Sequence, residues 1–158
     1  MTALTLGIDP GKTGALALID DDGRLVDVID MPDATGAALG ALVGALLADH
    51  APHTVAVAWV ELVGSRPGQG VASTFKFGAN WGAILGALGA LGVPVELRTP
   101  QQWKKAMRVT ADKASSRQRA TEHWPSEAAR FARVKDDGRA EAALIAEYGR
   151  RCRIGGDR

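Results

Sequence analysis

The chain has 158 residues, of which 46% are hydrophobic and 23% are charged, a length and composition typical of one soluble globular domain. It contains no uninterrupted apolar run of about 18 residues and no basic segment ahead of an apolar one, so we expect neither a membrane span nor a signal peptide. Its single cysteine, Cys152, excludes an internal disulfide and favours a cytoplasmic location.

The net charge of +1 conceals an uneven distribution of charge along the chain. Residues 1–63 include 2 basic and 9 acidic residues, whereas residues 98–135 include 10 basic and 3 acidic residues. A basic segment of this density is typical of proteins that bind a polyanion such as DNA. A solvated helix face is the alternative interpretation.

The first part of the chain predicts an antiparallel meander, a helix and a buried strand. Residues 4–9, 14–20 and 24–32 are apolar or alternating runs separated by short Pro-Gly and Asp-Gly turns, which predicts three consecutive strands. Residues 35–50 have a helix pattern. The continuous apolar run of residues 54–61 predicts a parallel strand that is buried on both faces.

The second part predicts mostly helices. Residues 62–74 are rich in Gly, Pro and Ser and are expected to form a mobile loop. The remaining predicted elements are a helix (75–92), a strand (93–99), a helix (99–107), a basic helical segment with a Trp-Pro break (109–135) and an amphipathic helix (136–151). We therefore expect one mixed α/β domain over residues 1–151, with helices on both faces of the sheet, and a disordered tail over residues 152–158.

The first turn, GIDPGKTG, is similar to a Walker A phosphate loop. That loop needs four residues between its first glycine and the Gly-Lys-Ser/Thr, whereas three residues separate Gly7 from Gly11, and one of them is Asp9. A carboxylate there would repel the phosphates that the backbone amides of such a loop hold. The segment is therefore not a phosphate loop, and Asp9 needs another explanation.

Carboxylates at the ends of two predicted strands offer that explanation. Asp9 ends the first strand and Glu61 ends the strand of residues 54–61. If these strands are parallel neighbours, the two carboxylates converge at one edge of the sheet. Two anions repel each other there unless a divalent cation binds, and oxygen ligands favour Mg²⁺ or Mn²⁺.

The last predicted helix supplies further carboxylates. Asp137 and Glu141 are four residues apart and therefore project from one helix face, whereas Asp136 points about 100° away. Carboxylates from two strand ends and one helix are the ligand set of a two-metal phosphoryl-transfer site, in which one ion activates water and the other stabilises the leaving oxygen.

Four segments of the chain resemble the RuvC Holliday junction resolvases in the compact form of phages and prophages: LGIDPGKTGALAL, VELV, TPQQWKKAM and DDGRAEAALIAEYGRR. The resemblance implies a ribonuclease H-like fold and a homodimer that cuts four-way DNA junctions symmetrically with Mg²⁺. It further implies that Asp9 and Glu61 are the first two catalytic carboxylates, with Asp137 and Glu141 as the helical pair.

The spacing of the helical acids departs from the family. The cellular resolvases carry two aspartates three residues apart, whereas the residue three before Glu141 is Gly138, which has no side chain to ligate a metal. This departure leaves open whether Asp136 or Asp137 is the metal ligand.

The resemblance also implies DNA-contacting lysines after the fourth strand, where Lys104, Lys105 and Lys113 occur. Such lysines could bind phosphates that flank the cut; a solubilising face is again the alternative. Arg66 in the predicted loop could reach the centre of a junction. Beyond it, either Phe75 or Phe77 could stack on an unpaired base.

The sequence therefore predicts a structure-selective DNA endonuclease with two Mg²⁺ or Mn²⁺ ions per site. Its expected partners are branched DNA and a second copy of the chain, with the Gly/Ala-rich residues 79–91 as a candidate interface, and no membrane. Two alternatives stay open. One is a noncatalytic junction-binding module with a degenerate metal site, and the other is an actin-like or sugar-kinase ATPase fragment.

Overall fold

The computed structural model describes residues 3–32, 36–51, 53–64 and 67–155. Its five strands are β1 (Ala3–Asp9), β2 (Ala15–Asp20), β3 (Leu25–Asp30), β4 (Thr54–Glu61) and β5 (Val95–Arg98). They form one sheet in the order β3-β2-β1-β4-β5. The first three strands are antiparallel, whereas β4 is parallel to β1 and β5 is parallel to β4. The predicted mixed sheet is confirmed.

The described helices are α1 (Gly36–Asp49), α2 (Val71–Ala90), α3 (Pro100–Met107), α4 (Lys113–His123) and α5 (Asp137–Gly155), with 3₁₀ helices at Pro125–Phe131 and Val134–Asp136. Two hydrophobic clusters place them on both faces of the sheet. One cluster joins α1 and α2 to the sheet, and the other joins α3, α4 and α5 to its opposite face. Among the described residues, no helix is long and apolar enough to cross a membrane.

Two predicted boundaries were wrong. The helix that was expected to begin at Phe75 begins one turn earlier, at Val71. In this added turn the Thr74 hydroxyl donates to the carbonyl oxygen of Gly70, the residue that precedes the helix. The last helix continues through residues 152–155, which were expected to be disordered, and Arg153 in its last turn pairs with Asp21. Residues 156–158 lie outside the described part of the chain.

Side-chain alternation along β1 decides what α5 can contact. Leu4, Leu6 and Ile8 are buried in the cluster with α1 and α2, so the alternate residues Gly7 and Asp9 face α5. A methyl group on Gly7 would lie 2.2 Å from the carbonyl oxygen of Ala142 in α5. Glycine thus permits α5 to lie directly on the central strand, on the same side as the Asp9 carboxylate.

Candidate active site

Asp9 and Glu61 lie beside each other at one edge of the sheet. The parallel register pairs Ile8 of β1 with Val60 of β4, so the next residues of the two strands are adjacent. Both are almost buried, with 9% of Asp9 and 8% of Glu61 exposed. The turn after Asp9 joins two antiparallel strands and does not lead into a helix, so this segment is not a Walker A phosphate loop.

The first two turns of α5 bring Asp137 and Glu141 to the same edge. Between them, a methyl group on Gly138 would lie 1.9 Å from the carbonyl oxygen of Thr13. No side chain fits at this contact between α5 and the β1–β2 turn. The backbone of the turn occupies the space that a side chain at position 138 would need, so this position between the two acids requires glycine.

Asp136 faces away from this group. Its carboxylate accepts hydrogen bonds from the Arg133 backbone N–H at 2.8 Å and from Arg133 Nη2 at 2.8 Å. Although burial acts to raise the pKa of Asp136, these bonds and the Arg133 charge lower it below the ordinary value. The structure thus uses Asp136 to hold the chain before α5 and places Asp137 beside the other acids.

The Asp9 carboxylate interacts electrostatically with the other three carboxylates. Its pKa is raised from 3.8 to about 7, first by burial and then by the charge of Glu141, with smaller contributions from Glu61 and Asp137. The Gly11 backbone N–H, which donates to Asp9 Oδ1 at 3.0 Å, acts in the opposite direction. The four predicted carboxylates therefore form one electrostatically coupled group, which we call the acidic cluster.

Two of the three predicted lysines pair with the helical half of the acidic cluster. Lys104 Nζ lies 2.9 Å from Glu141 Oε1, and Lys113 Nζ lies 2.7 Å from Asp137 Oδ2. The hydrogen bond to Asp137 is the main reason that the pKa of Lys113 is raised. Lys105, the third predicted lysine, is exposed on α3.

The sequence interpretation missed two neutral side chains that bind the acidic cluster. Trp103 Nε1 donates to Glu61 Oε1 at 2.9 Å, and Ser116 Oγ donates to Glu141 Oε1 at 3.3 Å. The signal available in the sequence was the indole itself, since a buried tryptophan N–H needs an acceptor and Trp103 directly precedes Lys104.

The comparisons with known proteins agree with this architecture. No protein-family model and no curated protein matches the sequence. The structure of T. thermophilus RuvC in complex with Holliday junction substrate matches with a TM-score of 0.67 and 24% identity, over 96% of this chain and 96% of that chain. The chain has the RuvC fold. A second Thermus thermophilus RuvC structure matches with a TM-score of 0.61 and 23% identity, again over 96% of both chains.

The predicted aromatic DNA contacts, Phe75 and Phe77, lie on α2 of this RuvC fold. Phe75 is 78% exposed, whereas Phe77 is half-buried and lines a cavity of about 230 Å³ together with Lys12 and Met31. Phe75 is therefore the aromatic that the surface presents. Arg66 lies outside the described residues.

The donor set of the acidic cluster fits a hard divalent cation in its chemistry. It consists of carboxylate oxygens, which Mg²⁺ and Mn²⁺ prefer, and its four acids face two lysines. Burial raises the pKa of Asp9, and the charges of Glu141, Glu61 and Asp137 raise it further. Among the described residues, no group of three or more His, Cys, Asp and Glu side chains is arranged to hold a metal. In this arrangement the lysine ammonium groups are the counter-ions.

Proposed function

We propose that this protein is a structure-selective DNA endonuclease that resolves four-way (Holliday) junctions by symmetric hydrolysis of two phosphodiester bonds. The observation that carries the proposal is the acidic cluster, in which Glu61, Asp137 and Glu141 lie near enough to Asp9 for their charges to add to the effect of burial on its pKa. The likeness to T. thermophilus RuvC in complex with Holliday junction substrate supports the choice of substrate. Such a substrate implies a cytoplasmic location.

The four acids would hold two Mg²⁺ or Mn²⁺ ions. When bound, the ions would supply an activated water and stabilise the departing 3′ oxygen. The chain's own contribution is to hold carboxylates from two strand ends and one helix on a rigid frame, where the close contact of Gly7 with Ala142 fixes α5 against β1. A site on such elements is held more accurately than one on loops.

Lys104 and Lys113 would exchange partners during the reaction. Each holds a carboxylate of α5 in this structure. Asp137 and Glu141 would hold the cations, and the Lys104 and Lys113 ammonium groups, when released from these carboxylates, would bind the phosphates on either side of the cut. Lysine is suited to this exchange because its ammonium is a mobile point charge on a flexible stem.

A wider DNA surface would surround the cut. The segment of residues 98–135 carries 10 basic and 3 acidic residues, and Lys105 is exposed within it. Phosphate contacts of this kind supply affinity without sequence preference. The exposed ring of Phe75 would stack on an unpaired base near the junction centre, and Arg66 would contact the neighbouring backbone.

Symmetric cleavage needs two active sites, and we propose that a second copy of the chain supplies the other. The exposed face of α2 supports this assembly. A stripe along that helix is apolar or lacks side chains, and consists of Val71, Gly78, Gly82, Gly86 and Gly89. Nothing in the described chain lies within 4 Å of a methyl group placed on any of those four glycines. Such a stripe permits the close approach of another helix.

Cleavage of an immobile four-way junction in Mg²⁺, beside a duplex of the same sequence, tests the proposed function. We expect the junction alone to be cut, at two symmetric positions. Asp9→Asn, Glu61→Gln, Asp137→Asn and Glu141→Gln should each lower the rate by roughly 100- to 1,000-fold, as removal of a charge-stabilising group does in other enzymes. Asp22→Asn is the matched control, because its side chain is 70% exposed and pairs only with Arg24 among the described ion pairs. An Asp9→Asn variant that cuts at the normal rate would overturn the assignment.

A noncatalytic junction-binding module is the second candidate. The lysine pairs at Glu141 and Asp137 favour it, because they satisfy two acids of the cluster without a metal. Isothermal calorimetry separates the two candidates. Binding of Mn²⁺ that is abolished by Asp9→Asn supports the nuclease, whereas intact junction affinity with no metal binding supports the module.

A further inference from the structure

Trp103 contacts the acidic cluster in a way that neither lysine does. The residue is completely buried, and its indole Nε1 donates to Glu61 Oε1 at 2.9 Å. An indole N–H can only donate and does not titrate in the physiological range. Unlike the ammonium groups of Lys104 and Lys113, it therefore cannot move to a phosphate or lose its proton during a reaction.

The helix that carries Trp103 is fixed at both ends. The Thr99 side chain and the Gln102 side chain form a reciprocal capping box at its start, and Pro100 occupies its first turn. At its end, Arg108 adopts the left-handed conformation with φ of 58° and its backbone N–H donates to the carbonyl oxygens of Lys104 and Lys105. Such caps suppress fraying of a short helix, so the indole is presented from a rigid position.

A second indole holds Glu61 through its backbone. Trp81 Nε1 of α2 donates to the Glu61 carbonyl oxygen at 3.2 Å. Because α2 and α3 pack on opposite faces of the sheet, the end of β4 is held from both sides, and the Glu61 side chain is held in addition by Trp103. The Glu61 carboxylate thus accepts from a neutral donor that is carried by a capped helix.

We propose that Trp103 is a positioning residue that fixes the Glu61 carboxylate in the orientation needed for metal binding. The inference rests on the proposed function, because it assigns Glu61 to the metal site. Partners that orient a metal-ligating carboxylate typically account for about 10- to 100-fold in metal affinity or activity. Trp103 thus holds one acid of the cluster through a donor that cannot move, whereas Lys104 and Lys113 hold two others through mobile ammonium groups.

The test compares Trp103→Phe with Trp124→Phe. Both substitutions replace a buried indole with a smaller ring and delete one hydrogen bond, since Trp124 Nε1 donates to the Gly23 carbonyl oxygen at 2.8 Å. Only Trp103 contacts the acidic cluster. We expect Trp103→Phe to weaken Mn²⁺ binding in calorimetry by about 10-fold or more and to lower kcat by a similar factor, with the affinity for junction DNA within about 2-fold of the wild type. Trp124→Phe should change the melting temperature by a similar amount and leave metal affinity and kcat unchanged.

Equal metal affinities in the two variants would overturn the proposal, because the Trp103 indole would then contribute packing alone. If Trp103→Phe does not fold, an NMR measurement on the wild type tests the proposal. Addition of Mg²⁺ should shift the ¹⁵N-indole resonance of Trp103 and leave that of Trp124 in place, and a Trp103 resonance that does not move would contradict the assignment.

The same measurements distinguish this proposal from the proposed function. A wild type that binds Mn²⁺ through Glu61, with an affinity that depends on Trp103, but does not cut junctions would overturn the nuclease and sustain the positioning role. A wild type that cuts junctions while Trp103→Phe keeps normal metal affinity and kcat would support the nuclease and overturn the positioning role. A wild type that binds no divalent metal would overturn both.

Discussion

Buried carboxylates lie along α5 both at its N-terminal end and near its middle, and their surroundings act on their charge in opposite ways. Near the middle of the helix, Glu147 is completely buried and accepts hydrogen bonds from Arg150 at 2.7 Å and from Arg151 at 2.7 Å, with His123 at 3.4 Å. Burial acts to raise the pKa of Glu147, but these partners lower it to about 2. Near its N-terminal end, the pKa of Asp9 is raised to about 7 by burial and by three neighbouring acids.

The difference teaches how a structural acid is told from a functional one. Glu147 and Asp9 are both buried, so burial alone does not distinguish a structural acid from a functional one. At Glu147, cations outnumber the acid and the ionised form stabilises the fold. At Asp9, acids outnumber cations and the ionised form opposes the fold, which is the pattern found where a protein keeps charge for chemistry.

The largest change in stability should follow from removing the charge of Glu147, the buried carboxylate that is paired with cations. Glu147→Gln leaves two arginines around a buried neutral amide, and removal of one partner of a buried ion pair costs roughly 3 to 5 kcal/mol. We expect a loss of about this size in the free energy of unfolding at pH 7, measured by urea denaturation. Glu122→Gln is the matched control, because this glutamate on α4 is 52% exposed and its ion pair with Arg119 lies at the surface.

The pH dependence of this loss has a defined sign. The pKa of Glu147 is lowered from 4.5 to about 2, so its stabilising contribution is complete above pH 4.5 and disappears as the pH falls through about 2. The wild type and Glu147→Gln should therefore converge in stability between pH 4 and pH 2. A difference in stability that stays constant over this range would show that Glu147 acts through packing and not through its charge.

The sequence could predict the strand-end acids but not their partners. Asp9 and Glu61 end continuous apolar runs, and such runs define where strands stop. The choice between Asp136 and Asp137 depended on Arg133, and the steric role of Gly138 depended on the position of Thr13. These contacts arise from the path of the chain in three dimensions, which hydrophobic periodicity does not encode.

The contacts of α3 were the least predictable part of the site. Trp103 and Glu61 are 42 residues apart in sequence, and nothing in the helix pattern of residues 99–107 states where the helix crosses the sheet. The indole N–H of Trp103 could have prompted a search for an acceptor, but the choice of Glu61 required the fold.

A smaller change in stability, of opposite sign, is expected when the charge of Asp9 is removed. Asp9→Asn removes the ionised form that burial and its neighbours oppose, so the metal-free variant should be more stable than the wild type by roughly 1 to 3 kcal/mol at pH 8. The measurement is thermal or urea unfolding in EDTA. Asp22→Asn should leave the free energy of unfolding unchanged, because its carboxylate is 70% exposed.

The gain from Asp9→Asn should depend on pH in a way that identifies its cause. The protonated form of Asp9 stabilises the native state, and this contribution is complete below pH 3.8 and is lost as the pH rises towards about 7. The advantage of Asp9→Asn should therefore be negligible near pH 4 and largest above pH 7. Saturating Mg²⁺ should reduce it if the wild type binds the metal through Asp9, and an advantage that ignores both pH and Mg²⁺ would contradict the electrostatic explanation.

The smallest change in stability is expected at Lys113, although its hydrogen bond to Asp137 is as short as those around Glu147. The Lys113 side chain is 73% exposed, and an ion pair with one partner in water contributes only about 0 to 1 kcal/mol because solvent and salt screen it. Lys113→Gln should therefore unfold at nearly the wild-type urea concentration, while Arg150→Gln, whose partner Glu147 is buried, should lose measurably more. In junction cleavage the order should reverse, since Lys113 stands at the acidic cluster and Arg150 does not. If Lys113→Gln lowered stability as much as Arg150→Gln and left cleavage unchanged, Lys113 would be a structural counter-ion. The surroundings of Asp137 and of Glu147 would then not differ in the way proposed.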